Sequence, residues 1–201
     1  MRILGVTFLR SVGSMEERKD LLLPEVCFVG RSNVGKSSML NLLTGSRVAR
    51  TSSTPGLTRR INLYQVIYEG RGGKHPFLCS DFPGYGYARV SKKEHAQWQR
   101  MIEAYILSNR HIKRIIWLRD ARRDFDALDE MFYEWARTNG LPMSLVLTKV
   151  DKCGQGEIAK AKVALQKGWN ILDPFIFSSK SGLGKTPLIS HIIESVEGGN
   201  T

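Results

Sequence analysis

The chain is poor in the residues that build cross-links and metal clusters. Its three cysteines, Cys27, Cys79 and Cys153, are odd in number and far apart in 201 residues. That spacing excludes a disulfide framework, and the apolar runs around Cys27 and Cys79 mark them as buried thiols of a reducing compartment. Four histidines, His75, His95, His111 and His191, are scattered without ligand spacing, which removes a histidine metal centre. No apolar run approaches the roughly 18 residues that a membrane helix needs. The opening Met1–Arg10 lacks both a sustained apolar stretch and a small-residue cleavage site, and Glu16 and Glu17 follow soon after. A lead-in strand rather than a signal peptide is expected there, in a monomeric, cytoplasmic chain of one domain. Internal repeats and low-complexity tracts are also absent.

Acidic charge is scarce as well. Lysine and arginine number 30 against 19 aspartates and glutamates, a formal charge of +11. The excess is uneven: residues 1–150 hold 24 basic against 14 acidic residues, and residues 151–201 hold 6 against 5. A basic region of this kind is the footprint of a polyanion, with RNA the leading partner, although charge alone also serves solubility. Arg59, Arg60, Lys92, Lys93, Arg110, Lys113, Arg114, Arg122 and Arg123 are candidate phosphate contacts. Tyr85 and Tyr87 are open either to stacking on bases or to packing against their own loop.

What is abundant is alternation of strand-like and helical patterns. Apolar runs at Val26–Val29, Pro76–Ser80, Ile115–Leu118, Ser144–Leu147 and Pro174–Phe177 are each followed by a helical periodicity. Ile61–Tyr68 alternates apolar and polar residues and is joined to Pro76–Ser80 by a glycine turn, which predicts an antiparallel hairpin. Helices are expected to end at Thr44-Gly45, Asn139-Gly140 and Gly168, to start with a capping box at Ser91 and Glu94, and to start at Thr186-Pro187. The expected fold is α/β: a mostly parallel six-stranded sheet with one antiparallel strand and helices on both faces. The domain is expected to span 1–201, with its core at about 24–196 after the lead-in strand. Residues 46–60 show no periodicity, and a loop of that length inside a compact domain is usually functional.

The chemistry-bearing strings fall at the carboxyl ends of these strands, where ligands of α/β sheets sit. Gly30-Arg31-Ser32-Asn33-Val34-Gly35-Lys36-Ser37, followed by Ser38, reads G-x-x-x-x-G-K-S between a strand and a helix. In that setting backbone N–H groups and a helix N-terminus converge on phosphates, lysine reaches the outer phosphates, and Ser37 offers its hydroxyl to Mg²⁺. Asp81, before Phe82-Pro83-Gly84, can hold Mg²⁺ through water, although Asp before Pro-Gly is also a common turn. In Thr148-Lys149-Val150-Asp151 a carboxylate can accept from the N1–H and 2-amino groups of guanine, donors that adenine does not pair in that way. The lysine stem can cover the base plane. Ser178-Ser179-Lys180 can support the base edge with backbone N–H groups. Gly182-Leu183-Gly184-Lys185-Thr186 imitates a second phosphate loop but has Ser179 where the leading glycine belongs, so it is set aside. Phosphate-loop kinase chemistry on a small acceptor stays open as an alternative that would lack a guanine reader.

With these strings in hand, GRSNVGKSS at 30–38, TSSTPGLTRRIN at 51–62, DFPGYGYARVSK at 81–92, TKVD at 148–151 and SSK at 178–180, the chain resembles the TRAFAC-class GTPases, and among them the EngB (YihA/YsxC) family of bacterial ribosome-assembly GTPases. The resemblance runs from about residue 6 to 196. Trp117-Leu118-Arg119-Asp120-Ala121-Arg122 departs from a V-D-x-R-type string, and Cys79-Ser80-Asp81-Phe82 from the more usual apolar residue before D-L-P-G. The resemblance implies a Ras-like P-loop domain binding GTP or GDP with Mg²⁺ and acting on the large-subunit precursor or its rRNA. It also implies an association with septation, through the division apparatus itself or through failed ribosome assembly. By the same resemblance Thr58 is the first-switch threonine that binds Mg²⁺ with the γ-phosphate, Thr54 being also open by spacing, and Gly84 donates its N–H to that phosphate. Tyr85 stands where many switch GTPases place a water-orienting glutamine, so slow unaided turnover is expected, completed by the assembled partner or by K⁺. Asn33 matches the asparagine of the K⁺-assisted members.

Overall fold

A computed structural model describes residues 2–18, 20–49, 60–85 and 92–198, with side chains in the last stretch from residue 99 onward. Among the described residues the strands are β1 (Arg2–Val12), β2 (Glu25–Gly30), β3 (Ile61–Gly70), β4 (Gly73–Asp81), β5 (Ile112–Asp120), β6 (Met143–Thr148) and β7 (Phe175–Ile176). The helices are α1 (Lys36–Thr44), α2 (Lys92–Ser108), α3 (Ala127–Thr138), α4 (Gln155–Trp169) and α5 (Lys185–Val196), with a single 3₁₀ turn at Val150–Lys152.

All seven strands form one sheet in the order β1-β3-β4-β2-β5-β6-β7. β2 pairs in parallel with β4 and β5, β5 with β6, and β6 with β7. β3 is the one strand that runs against the rest, antiparallel to both β1 and β4, as the glycine-turn hairpin predicts. The sheet has seven strands rather than six because the lead-in segment does not stand apart. It lies along β3 from Arg2 to Val12 as the sheet's edge.

The period-2 pattern of buried strands explains the layers. Val26 and Phe28 of β2 and Ile116 and Leu118 of β5 face α1 and α5, packing with Met39, Leu40, Leu188 and Ile192. The alternate residues Cys27, Val29 and Ile115 face α2 and α3, meeting Ile102, Tyr105 and Ile106. Trp117, Leu145 and Leu147 continue that face onto Leu165 of α4. Cys27 and Cys79 are buried free thiols, as their apolar flanks imply, and burial pushes both up from the ordinary thiol range.

Helix ends follow the expected chemistry where a glycine lies outside the helix. Gly45 closes α1 in the left-handed conformation, its N–H bonded to the carbonyls of Asn41 and Leu42. Gly168 instead lies inside α4, and left-handed Asn170 caps it. α5 starts at Lys185 after Gly184, one turn position earlier than Thr186-Pro187. Gly184 explains its own identity: at φ 79 a side-chain carbon there would sit 1.9 Å from the Ile176 carbonyl oxygen. The false second phosphate loop is thus a packing glycine. The Ser91 cap and most of loop 46–60 lie outside the described residues.

Candidate functional site

Because β2, β4, β5, β6 and β7 are parallel, their carboxyl ends open onto one edge of the sheet, and four of the predicted strings converge there. Gly30 ends β2, Asp81 ends β4, and Thr148 ends β6. Ser178 follows β7, and β3 begins at the same edge with Asn62 opposite Asp81.

The phosphate loop wraps its own lysine. Lys36 is buried, and its Nζ donates to the carbonyls of Gly30 and Arg31 at 3.1 Å each. Burial lowers its pKa to about 8, opposed by the charge of Asp81. Ser37 Oγ donates to Asp81 Oδ2 at 2.9 Å, so hydroxyl and carboxylate meet as predicted. Burial raises the Asp81 carboxyl, against the pull of Lys36 and Ser37. Its second oxygen, Oδ1, is buried with no hydrogen-bond partner among the described residues. A buried carboxylate with one unpartnered oxygen beside a serine hydroxyl suits a hard divalent cation or the waters around it. Mg²⁺ passes this test of fit.

Gly84 lies flat against the loop. A side-chain carbon at that position would fall 2.5 Å from Ser32 Cα and 2.6 Å from Ser32 N. The backbone of Tyr85 bridges to the loop on both sides, with Ser32 N donating to Tyr85 O at 3.0 Å and Tyr85 N to Gly30 O at 3.3 Å. Only glycine allows this approach.

The base-reading string is tied to the same loop. Thr148 Oγ1 lies 2.8 Å from the Val34 carbonyl and 3.0 Å from that of Arg119. Lys149, left-handed at φ 58, donates Nζ to the Asn33 carbonyl at 2.7 Å. Ser178 Oγ donates to Asp151 Oδ1 at 2.6 Å and accepts from the backbone of Lys180 and Ser181. That hydrogen bond holds the Asp151 carboxyl below its ordinary range, so it stays an acceptor. Ser179 and Lys180 are exposed in the turn after Ser178. Asn33 is exposed and left-handed at φ 60.

Two carboxylates that hold candidate residues, Asp120 and Asp126, were not singled out as site residues from the sequence. Asp120, at the end of β5, is a buried carboxylate that binds Lys149 Nζ at 3.0 Å and Arg122 through both oxygens. Burial works against its charge, but the Arg122 and Lys149 hydrogen bonds outweigh it and hold it well below the carboxylate range. Arg31 pairs with Asp126, the N-cap of α3. The one signal for this region was the departure of the string Trp117–Arg122 from the family pattern.

Two expectations change. Tyr85 is not offered to a partner: it is 5% exposed, stacked on Phe132, and its hydroxyl reaches Asp129 and Trp117. Among the described side chains, the candidate basic residues also do not gather into one patch. Arg60 pairs with Glu17, Arg122 with Asp120, and Arg114 donates to Ser195. Arg110 and Lys113 are exposed at one end of β5 and Arg123 beyond the other. β5 has nine residues, and so separates them by roughly 30 Å. Thr54, Thr58, Arg59 and Tyr87 lie outside the described residues, as do the side chains of Lys92 and Lys93.

A family model described as a 50S ribosome-binding GTPase matches residues 25–149. The probable GTP-binding protein EngB of Aquifex aeolicus is 42% identical over 171 residues, covering 85% of this chain and 90% of its own. The chain belongs to the EngB family of GTP-binding proteins. It is a GTPase, converting GTP to GDP and phosphate. The EngB of Clostridium perfringens strain SM101 is 37% identical over 200 residues, 98% of each chain. Among solved structures, a probable GTP-binding protein EngB superposes with a TM-score of 0.66 at 24% identity, covering 86% of this chain and 98% of that one. Era in complex with MgGDPNP and nucleotides of 16S ribosomal RNA gives 0.69 at 24%, covering 86% and 56%. These two likenesses establish the α/β GTPase fold. No described helix is long and apolar enough to cross a membrane.

Proposed function

We propose that the chain is a GTP-operated switch acting on the large ribosomal subunit during its assembly. The unit is the single G domain, its core at about 24–196. Residues Gly30 to Ser38 cradle the phosphates, Lys36 faces the outer ones, and Asp151 with Thr148, Lys149 and Ser178–Lys180 reads guanine. Ser37, Asp81 and Thr58 hold Mg²⁺, which supplies charge neutralisation to the phosphates when bound. The observation that carries the reading is the coupling of Asp81, with its unpartnered oxygen, to a phosphate loop that the guanine-reading string grips through Lys149 and Thr148. The family description and the basic excess of residues 1–150 support the ribosomal partner.

Gly84 donates its N–H to the γ-phosphate, so loss of that phosphate releases its loop. Tyr85 cannot orient water from its buried slot, and unaided turnover is therefore slow. Purified large-subunit precursors should raise GTP turnover at least tenfold, and their binding should weaken with salt, since phosphate contacts release counterions. Precursors that leave turnover unchanged in a protein that binds GTP would remove the ribosomal reading. K⁺ at Asn33 is the second activator proposed: turnover equal in K⁺ and Na⁺, unaffected by Asn33→Ala, would remove it. The septation role follows from failed assembly, and on depletion abnormal ribosome profiles should precede division defects.

A further inference from the structure

The hydroxyl of Tyr85 has a function that the phosphate chemistry does not use. It donates to Asp129 Oδ1 at 2.9 Å and accepts from Trp117 Nε1 at 2.8 Å. Burial raises the phenol's pKa, so it keeps the proton it donates. Asp129 is 1% exposed, and its other oxygen accepts from Arg119 Nε at 3.2 Å. Arg119, itself 4% exposed, lies 3.4 Å over the Phe125 ring and donates to the Arg123 carbonyl. The carboxylate is thus fixed on two sides inside the protein.

Tyr85 is at the same time the residue after Gly84, and its backbone is bonded to Gly30 and Ser32. Gly84 lies close along Ser32, since even a single side-chain carbon on it would fall 2.5 Å from Ser32 Cα. The place of its N–H is therefore set by residue 85, whose ring is stacked on Phe132 and whose tip is held by Asp129. The same turn of α3 also reaches the phosphate loop itself, through Asp126 and Arg31. Asp126 and Asp129 are three residues apart and so lie on one face of the helix.

We propose that Asp129 is a positioning residue for the GTPase reaction, setting through the Tyr85 hydroxyl the place of the Gly84 N–H beside the phosphate loop. This rests on the reading of Gly84 as a γ-phosphate donor. Asp129 is not a nucleotide contact; its route to Gly84 runs through Tyr85, while its other oxygen holds Arg119. GDP, which has no γ-phosphate, is indifferent to it.

The test compares the affinity for GDP with that for a non-hydrolysable GTP analogue in the full chain, its Asp129→Asn and Tyr85→Phe variants, and the double variant. Each single variant should bind GDP within about twofold of the parent and the analogue about fivefold to tenfold more weakly, the size of one buried hydrogen bond. The double variant should be no worse than the singles, since both break one link. An unchanged ratio, parallel weakening of both nucleotides, or additive losses would overturn the positioning role. Tyr85→Phe keeps the ring in its slot and decides the question by its ratio if Asp129→Asn does not fold. Gly84→Ala separates the two levels. If it leaves the ratio unchanged, the γ-phosphate reading falls and this role with it. If it lowers the ratio while Asp129→Asn does not, only the positioning role falls.

Discussion

Two buried carboxylates stand on neighbouring strands, Glu25 level with Leu78 and Asp81 level with Phe28, and they are treated in opposite ways. Glu25, at the start of β2, is fully buried and saturated. It pairs with Arg18 at 2.6 Å and accepts from Tyr105 and Asn109 at 2.9 Å each, and from Ser80. Asp81, one residue after Ser80 at the end of β4, has Ser37 on one oxygen and, among the described residues, no partner on the other. That contrast between one satisfied and one short buried acid is what the proposed Mg²⁺ role of Asp81 accounts for. Glu25 is an anchor that ties α2 and the segment before β2 to the sheet, and Asp81 belongs to the proposed site.

The comparison can be broken in order of effect. Glu25→Ala should cost about 3–5 kcal/mol of stability in denaturant unfolding, because it strands the buried Arg18 charge. Nucleotide affinity of the folded fraction should not change. Asp81→Asn should behave the other way: hydrolysis falls about a hundredfold, while unfolding shifts by less than about 1 kcal/mol. Equal stability losses in the two variants would show that both acids are structural. Asp151→Asn should weaken GTP by about tenfold to a hundredfold and leave folding intact, read by competition with labelled GDP.

The smallest effect concerns the face remote from the site. His191, bonded to Ser144 and packed on Phe175, has its pKa lowered by burial and by Arg114. The unfolded chain therefore takes up this proton first as pH falls through about 6.5, and the folded state loses stability on acidification. His191→Gln should flatten that slope by less than about 1 kcal/mol between pH 7 and 5, seen as a smaller drop in melting temperature.

The layers were legible because burial of parallel strands leaves a local signature. Val26 to Val29 alternate between two helical layers, and the same run announces both the strand and the loop after it. The seventh strand was less legible as part of the sheet, since Arg2–Val12 finds β3 only across some 50 residues of chain. Gly168 misled because glycine caps a helix only when the chain leaves the helix there, and Leu165 keeps α4 docked for another turn. The basic excess was plain in composition, but not that Arg60 and Arg114 are taken up by partners on other elements and Arg122 by nearby Asp120.

By itself the sequence carried the phosphate-loop motif and the proposed guanine-reading string, and with them the family. Each is a contiguous run whose backbone conformation and side chains act within a few residues of one another. The tertiary structure alone decided which polar groups are satisfied. Tyr85 meets Asp129 from 44 residues away, and Tyr105 meets Glu25 from 80. Such bonds are set by how helices dock on the sheet, which no local pattern encodes. They make Tyr85 an anchored pivot rather than a free ring, and Asp81 an open carboxylate.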